Sequence, residues 1–142
     1  MKRVRLLAGI VLFIPLLACN AQSPKKDVKA SDDNSDKIEA YYFHFTARCV
    51  TCKTIEAKAK ENLETLYPNQ VKLGLITFQS INLEEASSKP LAEKLGVSGQ
   101  TLLIVKGDQK INLTNEGFLY AVAKPEKFKE IINEKVDGLL IK

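Results

Sequence analysis

The stretch Cys49-Val50-Thr51-Cys52 limits what this chain can become more than any other. Two thiols with two residues between them follow an apolar run, Ala40-Tyr41-Tyr42-Phe43-His44-Phe45. They precede a segment in which Ile55, Ala59, Leu63 and Leu66 recur at helical spacing, with the helix beginning around Cys52. The run is too uniformly apolar for a half-exposed strand, so it predicts a central strand covered on both faces. The chain must then turn from strand into helix across the two thiols. There they can close a small disulfide ring, and the first sulfur sits near backbone N–H groups and a helix dipole that favour thiolate. Thiol–disulfide exchange needs such a thiolate and a second thiol to resolve the mixed disulfide. Two other chemistries share the spacing. One is half a zinc site, for which no second Cys pair exists; the other is an inert structural disulfide.

The third cysteine belongs to a different signal. Lys2, Arg3 and Arg5 form a basic start, and Leu6 to Leu17 is apolar apart from Gly9 and Pro15. That run is shorter than the roughly 20 residues a membrane-spanning helix needs and reads as an export signal. It ends in Leu16-Leu17-Ala18-Cys19, which resembles the bacterial lipobox, where the Cys becomes the acylated first residue. The expectation is a signal peptide over 1–18 and a lipidated Cys19, holding the protein to a bacterial envelope membrane without spanning it. The folded part would face the periplasm or the exterior. Residues 19–37 are rich in Ser, Asp, Lys and Asn and read as a flexible tether. Removing Lys2, Arg3 and Arg5 leaves 18 basic against 17 acidic residues, so no field for nucleic acid remains.

Residues 38–142 read as one α/β domain. After the first strand and the helix ended by Pro68-Asn69, Val71 to Phe78 predicts a second strand, with Ile81-Asn82-Leu83 its extension or exit. A short helix follows over Ser87 to Leu95, with Gly96 as C-cap. Thr101 to Val105 is the third strand, Gly107-Asp108 a turn, and Gln109 to Leu113 the hairpin partner. A last helix starts at Pro125 and turns Phe128, Ile131, Ile132 and Val136 inward. The order is β-α-β-α-β-β-α, a four-stranded mixed sheet flanked by three helices.

That order, with Arg48-Cys49-Val50-Thr51-Cys52-Lys53 and then Glu56, resembles the thioredoxin-like family over residues 38–142. The motif is similar to that of the periplasmic thioredoxin-like domain of DsbD-type reductases. It is also similar to ArsF-like thioredoxin-fold lipoproteins encoded near organoarsenical efflux permeases. The resemblance implies that Cys49 attacks and Cys52 resolves, with reduction the favoured direction. It implies no organic cofactor and no resident metal, the redox-active disulfide doing the chemistry. The partners it implies are a protein or small-molecule thiol or disulfide substrate and a membrane electron donor, with the protein a monomer.

The chain departs from that family twice. Family members carry a cis-proline before the third strand; here Gln100 precedes Thr101, and a trans bond and an altered loop are expected. The family's buried carboxylate, six residues before the first Cys, is Phe43 here. Glu56, four residues after Cys52 on the same helical face, is the candidate replacement; the alternative is a solvated residue pairing with Lys53 or Lys60. Arg48 and Lys53 flank the pair and would stabilise a thiolate, unless Arg48 serves solubility alone. Gln100 is expected to face the sulfurs and, with Thr101, to meet substrate. His44 reads as a hydrogen-bonded core histidine, and Tyr41 and Tyr42 as packing. A separate class of function uses the reduced dithiol to hold a soft ion, Cu(I) or trivalent arsenic, and to feed a membrane transporter without turnover. A third keeps only the fold, with an inert disulfide serving protein–protein interaction.

Overall fold

The computed structural model describes residues 36–141. The expected signal peptide, Cys19 and the tether as far as residue 35 lie outside the described residues. The domain is α/β, with a four-stranded mixed sheet and five α-helices. The central apolar run forms β1 (Ile38–His44), flanked by β2 (Ile76–Asn82) on one side and β3 (Thr101–Lys106) on the other. β2 pairs parallel to β1, with Ile38 opposite Ile76. β3 pairs antiparallel, with Phe43 opposite Thr101, and β4 (Gln109–Asn112) closes the far edge as a hairpin. The hairpin turns at Gly107-Asp108, where only Gly107 has a positive φ, 55°, the backbone a type II′ turn requires of its first residue.

A parallel neighbour needs a crossover, and α1 (Val50–Leu66) begins it. Cys49 is its extended N-cap, so the helix starts two residues earlier than its apolar spacing indicates. Tyr67 breaks it because the residue before a proline avoids helical backbone, and Pro68 then opens a second short helix, α2 (Pro68–Lys72). This corrects the expected second strand. Val71 and Lys72 are helical, and pairing begins only at Ile76, five residues later, and continues to Asn82. A 3-10 turn at Ala86–Ser88 leads into α3 (Lys89–Leu95), which ends at Gly96 as expected. Lys110 from β4 places its ammonium on the last carbonyls of α3, 3.3 Å from Lys94 O and 3.2 Å from Leu95 O.

The other addition is α4 (Thr114–Tyr120), after β4, where no helix was expected. The Asn112 side chain accepts from the Thr114 N–H at 3.0 Å and from its hydroxyl at 2.6 Å, which starts the turn. α5 (Pro125–Leu140) starts at the expected proline. Five helices thus stand where three were expected, because α2 and α4 are too short to show periodicity.

The two faces of β1 enter different cores. Ile38, Ala40 and Tyr42 pack with Ile55, Ala59 and Leu63 of α1 and with Phe128, Ile132, Val136 and Leu139 of α5. Tyr41 and Phe43 point the other way, against Ala92 and the half-buried Leu91 and Leu95 of α3. Burying each large aliphatic or aromatic side chain stabilises the fold by about 1.5–3 kcal/mol relative to exposure. α5 is fixed at one end by Tyr67, whose hydroxyl donates to Asp137 Oδ1 at 2.7 Å. Burial and that carboxylate hold the phenol above its ordinary range. At the same end Lys106 Nζ donates to Leu139 O at 2.7 Å.

Helix α4 crosses α1 closely enough that a Cβ on Gly117 would lie 2.8 Å from Ile55 Cγ2. Ile55 is buried and β-branched, so it has little room to yield. Gly117→Ala is therefore expected to destabilise by about 1–3 kcal/mol through overpacking. Gly138, in α5 with nothing near its missing Cβ, is the control. Gly138→Ala is expected to stabilise by about 0.5–1 kcal/mol. Chemical denaturation of both variants reads the opposite signs.

Candidate functional site

The site is built where β1 ends and α1 begins. Between them the chain runs through an exposed loop whose position is set by the exit of β2. Thr46 N–H donates to Glu84 Oε2 at 2.8 Å, Asn82 Nδ2 donates to Thr46 Oγ1 at 2.9 Å, and Glu84 N–H donates to Asn82 Oδ1 at 3.1 Å. The hydrogen bonds from Thr46 hold the Glu84 carboxyl below the usual carboxylate range. Sequence reasoning missed Asn82 and Glu84, whose only signal is their place just past the second strand.

Cys49 and Cys52 form a disulfide with their Cα atoms 5.2 Å apart. Their surroundings are unequal: Cys49 is exposed, whereas Cys52 is 6 % exposed. The Cys52 N–H donates to Cys49 Sγ at 3.2 Å, the bond of an N-cap made by sulfur. In the reduced protein the same donor would favour a thiolate at Cys49, as the helix terminus does. The geometry suits either exchange chemistry or a two-thiol clamp. Val50 is 82 % exposed and adds no cover over the first sulfur.

Arg48 and Glu56 form an ion pair, Nη1 to Oε2, that spans the disulfide-bearing turn from the residue before Cys49 to one turn beyond Cys52. Glu56 therefore pairs with Arg48 and with neither Lys53 nor Lys60. Lys60 instead lies 3.9 Å from Glu64, and Lys53 is exposed on α1. Inward of the pair lies Tyr42, 1 % exposed, whose hydroxyl accepts a hydrogen bond from Gln100 Nε2. Burial raises the Tyr42 phenol above its ordinary range; the Gln100 bond opposes that, Glu56 adds to it and Arg48 reduces it.

The candidate residues thus divide. Arg48, Cys49, Cys52 and Glu56 gather at the start of α1, and Gln100 reaches the same end through Tyr42. The peptide bond before Gln100 is trans, since no described residue has a cis bond. Thr101 turns its hydroxyl back to Gly99 O at 2.9 Å. His44 is buried, with Nδ1 donating to Phe45 O at 2.9 Å and Nε2 3.0 Å from Ser80 Oγ. Phe43 lies in the α3-side core, so no carboxylate stands at that position. Cys19 lies outside the described residues.

Among the described residues no group of three His, Cys, Asp or Glu side chains is placed to hold a metal ion, and no helix is long and apolar enough to cross a membrane. A groove of about 270 Å³ lies between α1, α2 and β2, lined by Leu63, Val71, Ile76, Thr77 and Phe78 with Lys60 and Glu64. No protein-family model matches this chain, and no curated protein matches it.

The unequal burial of the two sulfurs makes a prediction. After reduction, a limiting amount of a bulky maleimide is expected to modify Cys49 at least about tenfold faster than Cys52, as thiol exposure dictates. Peptide mapping gives the ratio, and equal labelling would contradict the arrangement.

Proposed function

We propose that this protein is a thioredoxin-like thiol–disulfide oxidoreductase, held to a bacterial envelope membrane through a lipid on Cys19 and working in the reducing direction. The observation that carries the reading is the asymmetric Cys49–Cys52 disulfide at the N-terminus of α1, with its outer sulfur exposed and its inner one buried. The strand order β2-β1-β3-β4, with β2 parallel and β3 and β4 antiparallel, supports the thioredoxin-like assignment.

In this reading the Cys49 thiolate attacks a substrate disulfide, R–S–S–R′. The Cys49–S–S–R bond forms and R′S⁻ leaves. Cys52 then gives up its proton, and its thiolate attacks Cys49 Sγ. The bond from Cys49 to R breaks, RS⁻ leaves, and the Cys49–Cys52 disulfide is closed. Two electrons pass from the dithiol to the substrate. The proton of Cys52 and one from solvent complete the two product thiols. A membrane-bound dithiol donor then returns two electrons to the Cys49–Cys52 disulfide. Glu56, one turn from Cys52 on the same helical face, is the carboxylate assigned to receive the Cys52 proton. Arg48 is paired with that carboxylate.

Redox titration of the full-length protein, with thiols trapped and counted at each potential, tests the reading. A reversible two-electron transition between about −270 and −120 mV is expected, the span of thioredoxin-like exchangers. Cys49→Ser is expected to abolish disulfide reduction, and Cys52→Ala to accumulate the mixed disulfide. A pair that stays oxidised well below roughly −300 mV would be structural. A dithiol that does not exchange yet is protected by Cu(I) or arsenite would be a carrier. The anchor is tested separately: Cys19→Ser is expected to move the protein from the membrane fraction to the soluble fraction, and unchanged membrane association would refute the lipid assignment.

A further inference from the structure

The end of the sheet opposite the disulfide carries apolar residues that the fold does not cover. β1 begins there at Ile38, whose N–H donates to Leu75 O at 2.8 Å. Leu73 and Leu75 stand on the link from α2 to β2; both are exposed, Leu73 by 73 %. Gly74, with φ 70°, turns the chain between them, and Leu75 N–H donates to Gln70 O at 2.9 Å, so the link is held in place. On the other side of β1, Lys106 at the close of β3 donates to Leu139 O, which brings the last turn of α5 to the same end. Leu140 and Ile141 follow, both exposed, Ile141 by 86 %. Since β2 and β3 are the two neighbours of β1, the two apolar pairs flank its start. The formal charges at this end balance, with Lys37, Lys72 and Lys106 set against Asp36, Glu39 and Asp108.

Resting on the lipid anchor proposed above, we infer that this end of the domain lies against the bilayer surface, with Leu73, Leu75, Leu140 and Ile141 entering the headgroup region. The path of the chain singles out this end. Residue 37 joins β1 here, and Cys19 precedes it by 18 positions, at most about 60 Å of chain. Such a length by itself permits any orientation of the domain; an apolar face seated about 5–10 Å into the headgroup boundary selects one. The exposed apolar residues Phe45, Val50 and, on α4, Phe118 and Leu119 belong to the disulfide end, where Thr114 at the start of α4 accepts from Leu102 N–H at 3.0 Å. A bilayer on that side would compete with whatever meets Cys49. The seven residues of β1 rise about 3.3 Å each, so the exposed Cys49 stands some 20 Å out from the seated end. The outer sulfur then faces away from the lipid, and the dithiol of a membrane donor must project to a similar height to reach it.

The chain has no tryptophan, so single reporters can be placed without background. The full-length protein is isolated from membranes, weighed by mass spectrometry for acylation of Cys19, and reconstituted in phosphatidylcholine vesicles with brominated acyl chains. Leu75→Trp is expected to lose about half its emission when the bromines lie roughly 5–10 Å below the headgroups, the depth of an interfacial apolar face. Phe118→Trp, on α4, should lose about a tenth or less, being held off towards the far end of a strand about 20 Å long. Because the charges balance, strong salt should leave the Leu75→Trp quenching unchanged. Adding Leu73→Asp and Ile141→Asp, both at exposed positions, should abolish the quenching while the protein still floats with the vesicles. Equal quenching at the two reporters, stronger quenching of Phe118→Trp, or a Leu75→Trp signal that salt removes overturns the inference and leaves the anchor standing. A Leu75→Trp emission that shifts with protein concentration and not with lipid assigns the face to a second copy and also overturns it. A mass without acyl groups on Cys19 removes the anchor, and this inference with it.

Discussion

Burial of β1 on both faces is the constraint from which the site's geometry follows. Ala40 and Tyr42 are committed to the core under α1 and α5, while Tyr41 and Phe43 are committed to the core under α3. A slip of one residue would exchange the two sets, putting large rings where Ala40 now lets α1 approach the sheet. The register is therefore fixed to the residue, and Cys49 follows the end of β1 by only five positions. The loop between them is tied down by Glu84 and Asn82, so the sulfurs inherit the precision of the strand. A catalytic constellation gains from standing on regular elements in this way.

The same alternation decides which groups of β1 share the α1 side of the sheet. Phe43 and Tyr42 are neighbours in sequence and belong to opposite sides of the sheet. Tyr42 lies on the α1 side, where Arg48 and Glu56 act on its phenol, whereas Tyr41 on the other side has Glu39. The ion pair is half-buried, its two side chains each 22 % exposed, so water screens it less than the open lysine–glutamate pairs farther along α1 and on α5. Electrostatics around the sulfurs is thus concentrated in a few groups at one strand end.

Much of this was legible in the sequence, and the parts that were not share a physical reason. β1, β3, the hairpin and α5 each carry a strong periodic or apolar signal, and Gly96, Gly107 and Pro125 punctuate them. The run from Val71 to Phe78 misled because its apolar content suits a strand, while Pro68 had already restarted a helix that consumes its first residues. α4 has seven residues, so hydrophobic spacing could not reveal it; Asn112, whose side chain accepts from Thr114, was the available clue. At the site, the cysteines, Arg48 and Glu56 were identifiable from spacing. That Arg48 and Glu56 pair with each other was not, because the pairing crosses a strand-to-helix turn instead of following helical intervals. Tyr42 read as packing since its hydroxyl partner, Gln100, lies 58 positions away.

The central strand is also the first element of the sheet to be made. β1 has no neighbour until Ile76–Asn82 exists, and its second edge stays open until Thr101–Lys106 follows. Until the first of these exists, an aromatic, proline-free segment has both edges bare and is followed in the chain only by helices. Such a segment is a ready template for pairing with another copy of itself. The order of elements therefore sets a clock: the interval between synthesis of Ile38 and of Lys106 is the period during which the nascent chain depends on being held apart from its neighbours. Because both partners of β1 are distant in sequence, closing the sheet is slow in the way that non-local pairing always is. The feature that gives the finished domain its fixed geometry is the one that leaves the unfinished chain most exposed.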